Sequence, residues 1–186
     1  MTNPLAAAAA RWARTADAFG ARVRAVPEGG WDRPAPCEGW LARDVVRHLV
    51  EWIPGFLAAN WDLRLDLPPV DDDPAAAWAA LDTGIRAALA DRALAASERT
   101  TPAGTMSFAA TLDMIGTTDV LLHTWDLARA TGGDERLDPG EVHRLLVGME
   151  PMDEVLRSSG HYGPRTPVPD DADEQTRLLA FIGRRP

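Results

Sequence analysis

Through most of this chain an apolar residue returns every three to four positions, the spacing of helices that bury one face, and Pro/Gly clusters separate the runs. A first helix is predicted from about Asn3 to Val26, capped by Asn3, opened by Pro4 and ended by Pro27-Glu28-Gly29-Gly30. The connector from Trp31 to Trp40 holds too much Pro and Gly to be helical. A second helix starts near Leu41 and carries Val45, Val46, His48, Leu49 and Trp52. Pro54-Gly55 is expected to kink or end it, and the pattern resumes from Leu57 to Leu65. Asp71-Asp72-Asp73 is an acidic, solvated cap for a third helix, Pro74 to about Ser97. After a turn from Thr100 to Gly104, a fourth helix is predicted from about Ser107 to Thr131, stopped by Gly132-Gly133. A fifth follows from Pro139 to about Leu156. The stretch from Ser158 to Pro169 reads as irregular, and a short helix from Asp171 to Ile182 closes the chain. No repeat and no strong strand alternation is present. The expected fold class is all-α: a four-helix bundle with short additional helices, one domain over residues 1–186.

Charge narrows the function. A net charge of −9 opposes nucleic-acid binding, which needs a basic surface, and opposes binding to an anionic membrane. No stretch approaches the roughly 20 apolar residues of a membrane span. The start lacks a basic region and its Ala run is broken by Arg11, so no signal peptide is expected. The single cysteine, Cys37, excludes an intrachain disulfide and makes a cytoplasmic location the expectation. Seven Trp in one domain leave material for an aromatic homodimer interface.

The candidate chemistry sits in Asp119-Val120-Leu121-Leu122-His123-Thr124-Trp125-Asp126, inside the apolar run Met114 to Ala130. At about 100° per residue, Asp119, His123 and Asp126 fall within roughly 60° of one helix face. Ionisable groups on a mostly buried stripe are costly to desolvate without partners, and a divalent cation is one such partner. His48, mid-helix on a different element, is the natural third ligand beside Asp119 and His123. Two imidazoles and a carboxylate leave coordination positions for water or substrate, a catalytic rather than a closed structural arrangement. The plainer alternative pairs Asp119 with His123 at i, i+4, worth roughly 0.3 kcal/mol, and leaves His48 a core imidazole. Asp126 either orients His123 or a ligand water, or pairs with Arg129 or another Arg. Cys37 is either a thiol near the cation or a small buried hydrophobe. Trp31 and Trp40 are expected to clamp the connector onto the helices, and Trp125 to be core or interface. His143 is expected at the surface, and His161 in a surface loop or a lid.

Pro36-Cys37-Glu38-Gly39-Trp40, then Val45-Val46-Arg47-His48-Leu49, then Asp119 through Gly132, together resemble the actinobacterial DinB-like metal-binding proteins. These are related to the metal-binding domain of mycothiol-dependent maleylpyruvate isomerase. The ending, Arg177 to Pro186, also resembles that group. The resemblance implies a four-helix bundle of the DinB/YfiT type, with a divalent metal held by His48, Asp119 and His123. The isomerase pattern has Glu where this chain has Asp119, one methylene shorter. The isomerase also carries a further C-terminal domain that contributes to its activity, and none is expected in this chain. The wider superfamily looks like thiol transferases. The implied function is metal-dependent transfer of a mycothiol-type thiol to, or isomerisation of, a small electrophile. Arg47 and Arg129 are candidates for meeting an anionic substrate. The metal is expected to be zinc, with nickel, iron or manganese compatible with the same donors. The competing readings are a non-catalytic metal-binding bundle serving stability, sensing or interaction, and a metal-free scaffold with a buried polar network.

Overall fold

A computed structural model describes residues 3–101, 104–158, 160 and 162–186, so His161 lies outside the described residues. The chain is mostly helical. The first helix, α1, spans Pro4–Arg24, with the Asn3 side chain accepting from the Leu5 amide. The connector folds back on itself: the Ala35 amide donates to Trp40 O at 2.8 Å and the Ala42 amide to Arg33 O at 2.8 Å. That closure launches α2, Ala42–Trp61, whose first turn is held by Asp44 accepting from the Leu41 amide. Helix α2 runs through Pro54 rather than ending there, and Asp62 stops it in the left-handed conformation, φ 53°. The residues after it are not helical, against the expected continuation to Leu65.

Helix α3 spans Pro74–Ala90 and α4 spans Arg92–Ala96. The expected single helix breaks at Asp91, whose extended backbone ends one helix while its carboxylate caps the next through the Ala93 and Leu94 amides. A short hairpin follows, β1 Glu98–Thr101 antiparallel to β2 Gly104–Ser107, in register Glu98 with Ser107. No strand was expected from the sequence. Three Thr and a Gly at φ 109° suit a small ladder too short to show alternation.

From Ser107, a cap for the Ala110 amide, helical structure is continuous: α5 Phe108–Thr111, a π turn Leu112–Thr117, and α6 Thr118–Thr131. Gly116 lies within the π turn, where a Cβ would meet Leu112 Cδ1 at 2.8 Å and displace that side chain. The expected fifth helix is divided. Pro151 cannot extend α7, Pro139–Met149, so a 3-10 turn Glu150–Met152 leads into α8, Asp153–Ser158. The last helix, α9, spans Glu174–Phe181.

Helices α1 and α2 each pack against both α3 and α6, while α7 packs on α9. Two apolar clusters result. The larger gathers Trp12, Phe19, Leu49, Ile53, Trp78, Leu81 and Ile85, with Val120 and Leu127 from α6. The smaller joins Leu121, Leu122 and Trp125 of α6 to Leu145, Leu178 and Phe181. Helix α6 therefore lies between two cores, which is why it is apolar on nearly every side and why its polar residues are conspicuous. No helix among the described residues is long and apolar enough to cross a membrane.

Candidate metal centre

The π turn ends before Asp119, so Asp119, His123 and Asp126 all lie in regular α-helix and keep the common face expected of them. Across from that face stands α2. His48 Nε2 is 3.0 Å from Asp119 Oδ2, and His123 Nε2 is 3.5 Å from Asp119 Oδ1. The two imidazole centroids are 4.9 Å apart at 65°. One donor atom from each of His48, Asp119 and His123 lies within 4.8 Å of the others. The expected three residues are thus brought together from two remote segments.

The surrounding groups hold these side chains in place. Trp52, one turn after His48 on α2, donates its indole N–H to Asp119 Oδ2 at 2.8 Å. Trp40 stacks on His123 with centroids 5.8 Å apart and planes at 18°, and lies 5.1 Å from the His48 ring. The clamp expected of Trp40 thus rests on the imidazoles themselves. Behind His123, Asp126 Oδ2 faces Nδ1 at 2.9 Å. Asp126 is fully buried and is gripped by Arg184, Nε to Oδ1 at 2.7 Å and Nη2 to Oδ2 at 2.8 Å. The Cys37 Sγ lies 3.5 Å from Asp126 Oδ2 and 3.1 Å from Arg184 Nη2.

The charges respond to this packing. Burial alone depresses the basicity of His123. The hydrogen bonds to Asp126 and Cys37, with the Asp119 and Asp126 charges, outweigh it and lift its pKa to about 10. Burial opposes ionisation of Asp126, yet His123 and Arg184 bring its pKa down to about 2. Burial likewise opposes ionisation of Asp119, and hydrogen bonding to His48 with the neighbouring imidazoles still lowers its pKa. Asp126 and Asp119 thus favour the protonated form of His123. A divalent cation can replace that proton, because metal ligands bind deprotonated.

The donor set fits a divalent ion. Two imidazoles and a carboxylate are ordinary ligands, and Asp126 on Nδ1 is the carboxylate–histidine support that fixes a ligating ring with Nε2 forward. The side chains of His48 and Asp119 keep 33% and 26% exposure, so solvent reaches the donors from one side. Cys37, His123 and Asp126 form a second close grouping, also within 4.8 Å. There the guanidinium of Arg184 already supplies the cation, which makes that side a poor place for another.

Other expectations fall differently. Arg47 does not face the cluster; it is engaged with Asp44 and with Asp71 at 2.7 Å. Arg129 stacks over Trp125 at 4.6 Å and pairs with Glu135. Trp125 is core, 1% exposed. Asp126 combines both roles considered for it, orienting His123 and pairing with an Arg, but that Arg is Arg184, not Arg129. His143 is exposed and bonded to Glu174. Sequence reasoning missed Arg184 and the role of Trp52. Trp52 carried a signal, its i+4 spacing from His48. Arg184, 58 residues beyond Asp126, carried none.

Fold and cluster define a helical protein in which paired helices present a His–Asp–His grouping backed by a buried carboxylate. The chain belongs to the family described as "Mycothiol maleylpyruvate isomerase N-terminal domain", which matches residues 12–128 and so includes His48, Asp119, His123 and Asp126. Two uncharacterized proteins of Mycobacterium tuberculosis, from strains CDC 1551 / Oshkosh and H37Rv, are each 32% identical to it over 186 residues, covering 92% of this chain and 94% of theirs. No solved structure matches the chain.

Proposed function

We propose that this protein is a divalent-metal protein whose centre is held by His48, Asp119 and His123, and that it serves thiol chemistry. In this reading α1, α2, α3 and α6 form a four-helix bundle of the DinB/YfiT type, within one domain over residues 1–186. The observation that carries the reading is the convergence of three donor atoms within 4.8 Å, half-open to solvent and backed by Asp126. When bound, a divalent cation, zinc first among zinc, nickel, iron and manganese, would hold a low-molecular-weight thiol of the mycothiol type as its thiolate, the nucleophilic form. The chain's own residues then have distinct tasks. Asp126 keeps His123 Nδ1 engaged, so that Nε2 points toward Asp119 and His48. Trp52 holds one oxygen of Asp119 toward α2. Trp40 covers the imidazoles and excludes water from that side. The substrate class is a small electrophile. The reading includes no nucleic-acid or membrane partner and a cytoplasmic location.

Two measurements test it. Elemental analysis of protein purified without an affinity tag should give one divalent ion per chain; substoichiometric metal under metal-replete conditions rejects the centre. A binding and turnover screen with low-molecular-weight thiols should then find a metal-dependent ligand. A second reading, a metal-free scaffold with a polar network, draws support from the hydrogen bonding of His48 and Trp52 to Asp119, which already satisfies these groups. Substoichiometric metal under metal-replete conditions would favour it, whereas stoichiometric metal without any thiol binding would favour a non-catalytic metal-binding module.

A further inference from the structure

Helix α2 continues from His48 with Trp52, Gly55 and Phe56 at helical spacing. The rings of Trp52 and Phe56 are half-buried and stand 6.2 Å apart at 64°. Between them Gly55 is exposed, and a Cβ there would meet nothing within 4 Å, so the space over it is open. The Trp52 indole is bonded to Asp119, which starts this apolar track at the donor grouping itself. Helix α2 meets the α5–α6 run through His48 on Asp119 and through Trp61 on Phe108, the latter with centroids 5.5 Å apart. The track therefore lies abreast of the π turn, where Met114 is 41% exposed and Ile115 half-buried. No Lys or Arg occurs from His48 to Phe56 or from Asp113 to Asp119; the carboxylates there are Glu51, Asp113 and Asp119. The arginines expected to meet an anionic substrate are engaged elsewhere, Arg47 with Asp71 and Arg129 with Glu135, each at 2.7 Å, and Arg11 holds Asp113.

Resting on the metal and thiol reading of this centre, we propose that its electrophile is uncharged and carries an aromatic or similarly apolar body, which lies along Trp52, Gly55 and Phe56. Recognition of a carboxylate calls for a guanidinium or ammonium free to meet it. An anion on this track would find none and would sit beside Asp119 and Glu51, so that desolvating it costs free energy without a compensating partner. Asp119 and a bound thiolate balance the charge of a divalent ion, so the centre offers no surplus positive charge either. A flat apolar body loses nothing by leaving water here, and the two rings take it by edge or offset contacts. Aromatic walls with a few placed polar groups at one end are the ordinary make-up of a small-ligand site.

The test titrates the full chain with benzamide and with benzoate, its charged counterpart, followed by amide and indole NMR shifts. Metal is removed first so that benzoate cannot ligate it. Benzamide is expected to saturate in the millimolar range, with the largest shifts at Gly55, Phe56 and the Trp52 indole N–H. Benzoate should bind roughly tenfold more weakly, because its charge is of the same sign as Asp119 and Glu51. Gly55→Leu fills the open space and favours the helix, and should weaken benzamide about tenfold. Gly148→Leu, at an exposed glycine of α7 where a Cβ likewise meets nothing within 4 Å, should leave it unaltered. Benzoate binding as tightly as benzamide overturns the proposal, as does an unchanged affinity in Gly55→Leu or an equal loss in Gly148→Leu. Elemental analysis reports separately on the metal. Stoichiometric metal without saturable benzamide shifts overturns this inference alone. Benzamide binding without stoichiometric metal overturns the underlying reading, and with it the assignment of the track to an electrophile.

Discussion

The two nitrogens of His123 face unlike surroundings. On the Nε2 side stand Asp119 at 3.5 Å and, beyond it, His48, side chains that keep a quarter to a third of their exposure. On the Nδ1 side stands Asp126, with no exposure at all and a guanidinium fixed to both its oxygens. One side is open, rich in donors and short of positive charge once the imidazoles are neutral. The other is closed and already neutralised by Arg184. The contrast teaches that a buried acidic cluster does not by itself mark a cation site. What matters is whether the fold has supplied its own cation, and here it has done so on one side only. In the proposed reading an exchangeable ion sits on the Nε2 side, and the Nδ1 side serves to aim the ring toward it.

The sharpest way to break this contrast is His123→Ala, which removes the residue common to both sides. Stoichiometric metal should disappear while far-UV circular dichroism stays near that of the parent. Metal retained at one per chain would mean the donor set is wrong. Next comes Asp126→Asn, which keeps the shape but removes the charge behind Nδ1. Metal affinity, followed by competition with a chromophoric chelator, is expected to fall about 10–100-fold. An unchanged affinity would show that the closed side does not aim the ring. Arg184→Met should act mainly on stability, because it leaves the buried Asp126 carboxylate with His123 as its one remaining ion-pair partner among the described residues. A loss of about 3 kcal/mol in urea unfolding is expected. A larger effect on metal than that of Asp126→Asn would reverse the order of roles. Trp52→Phe removes one hydrogen bond from Asp119 and should weaken metal by roughly three- to tenfold, in keeping with about 1 kcal/mol per hydrogen bond. The smallest effect is expected from Cys37→Ser, where metal content should not change; loss of metal there would move a ligand to the closed side.

Helical periodicity made the long helices legible, because each buries one face and the spacing of apolar residues records it. Their interruptions were less legible. The break at Asp91 depends on a side chain capping the helix that follows it, and Asp is also compatible with a continuing helix. Pro54 was expected to kink or end α2, yet the helix continues past it to Trp61. The hairpin from Glu98 to Ser107 is too short for alternation to stand out. At the candidate site, Asp119, His123 and Asp126 were legible because they share one helix, and spacing within a helix dictates a common face. His48 required a second helix to be placed beside the first. Trp52 then followed on His48's own helix, with its bond to Asp119 visible only in three dimensions.

Local chemistry along the chain was enough to set the helical class, the caps at Asn3 and Asp73, and the polar stripe on α6, since each depends on neighbours within a turn or two. Tertiary packing alone decided that α6 lies between two cores, that His48 faces Asp119, and that the guanidinium of Arg184 neutralises Asp126. These are contacts between residues far apart in sequence. Their partners are chosen by how whole helices and the final strap pack, a choice that periodicity within any one segment does not encode.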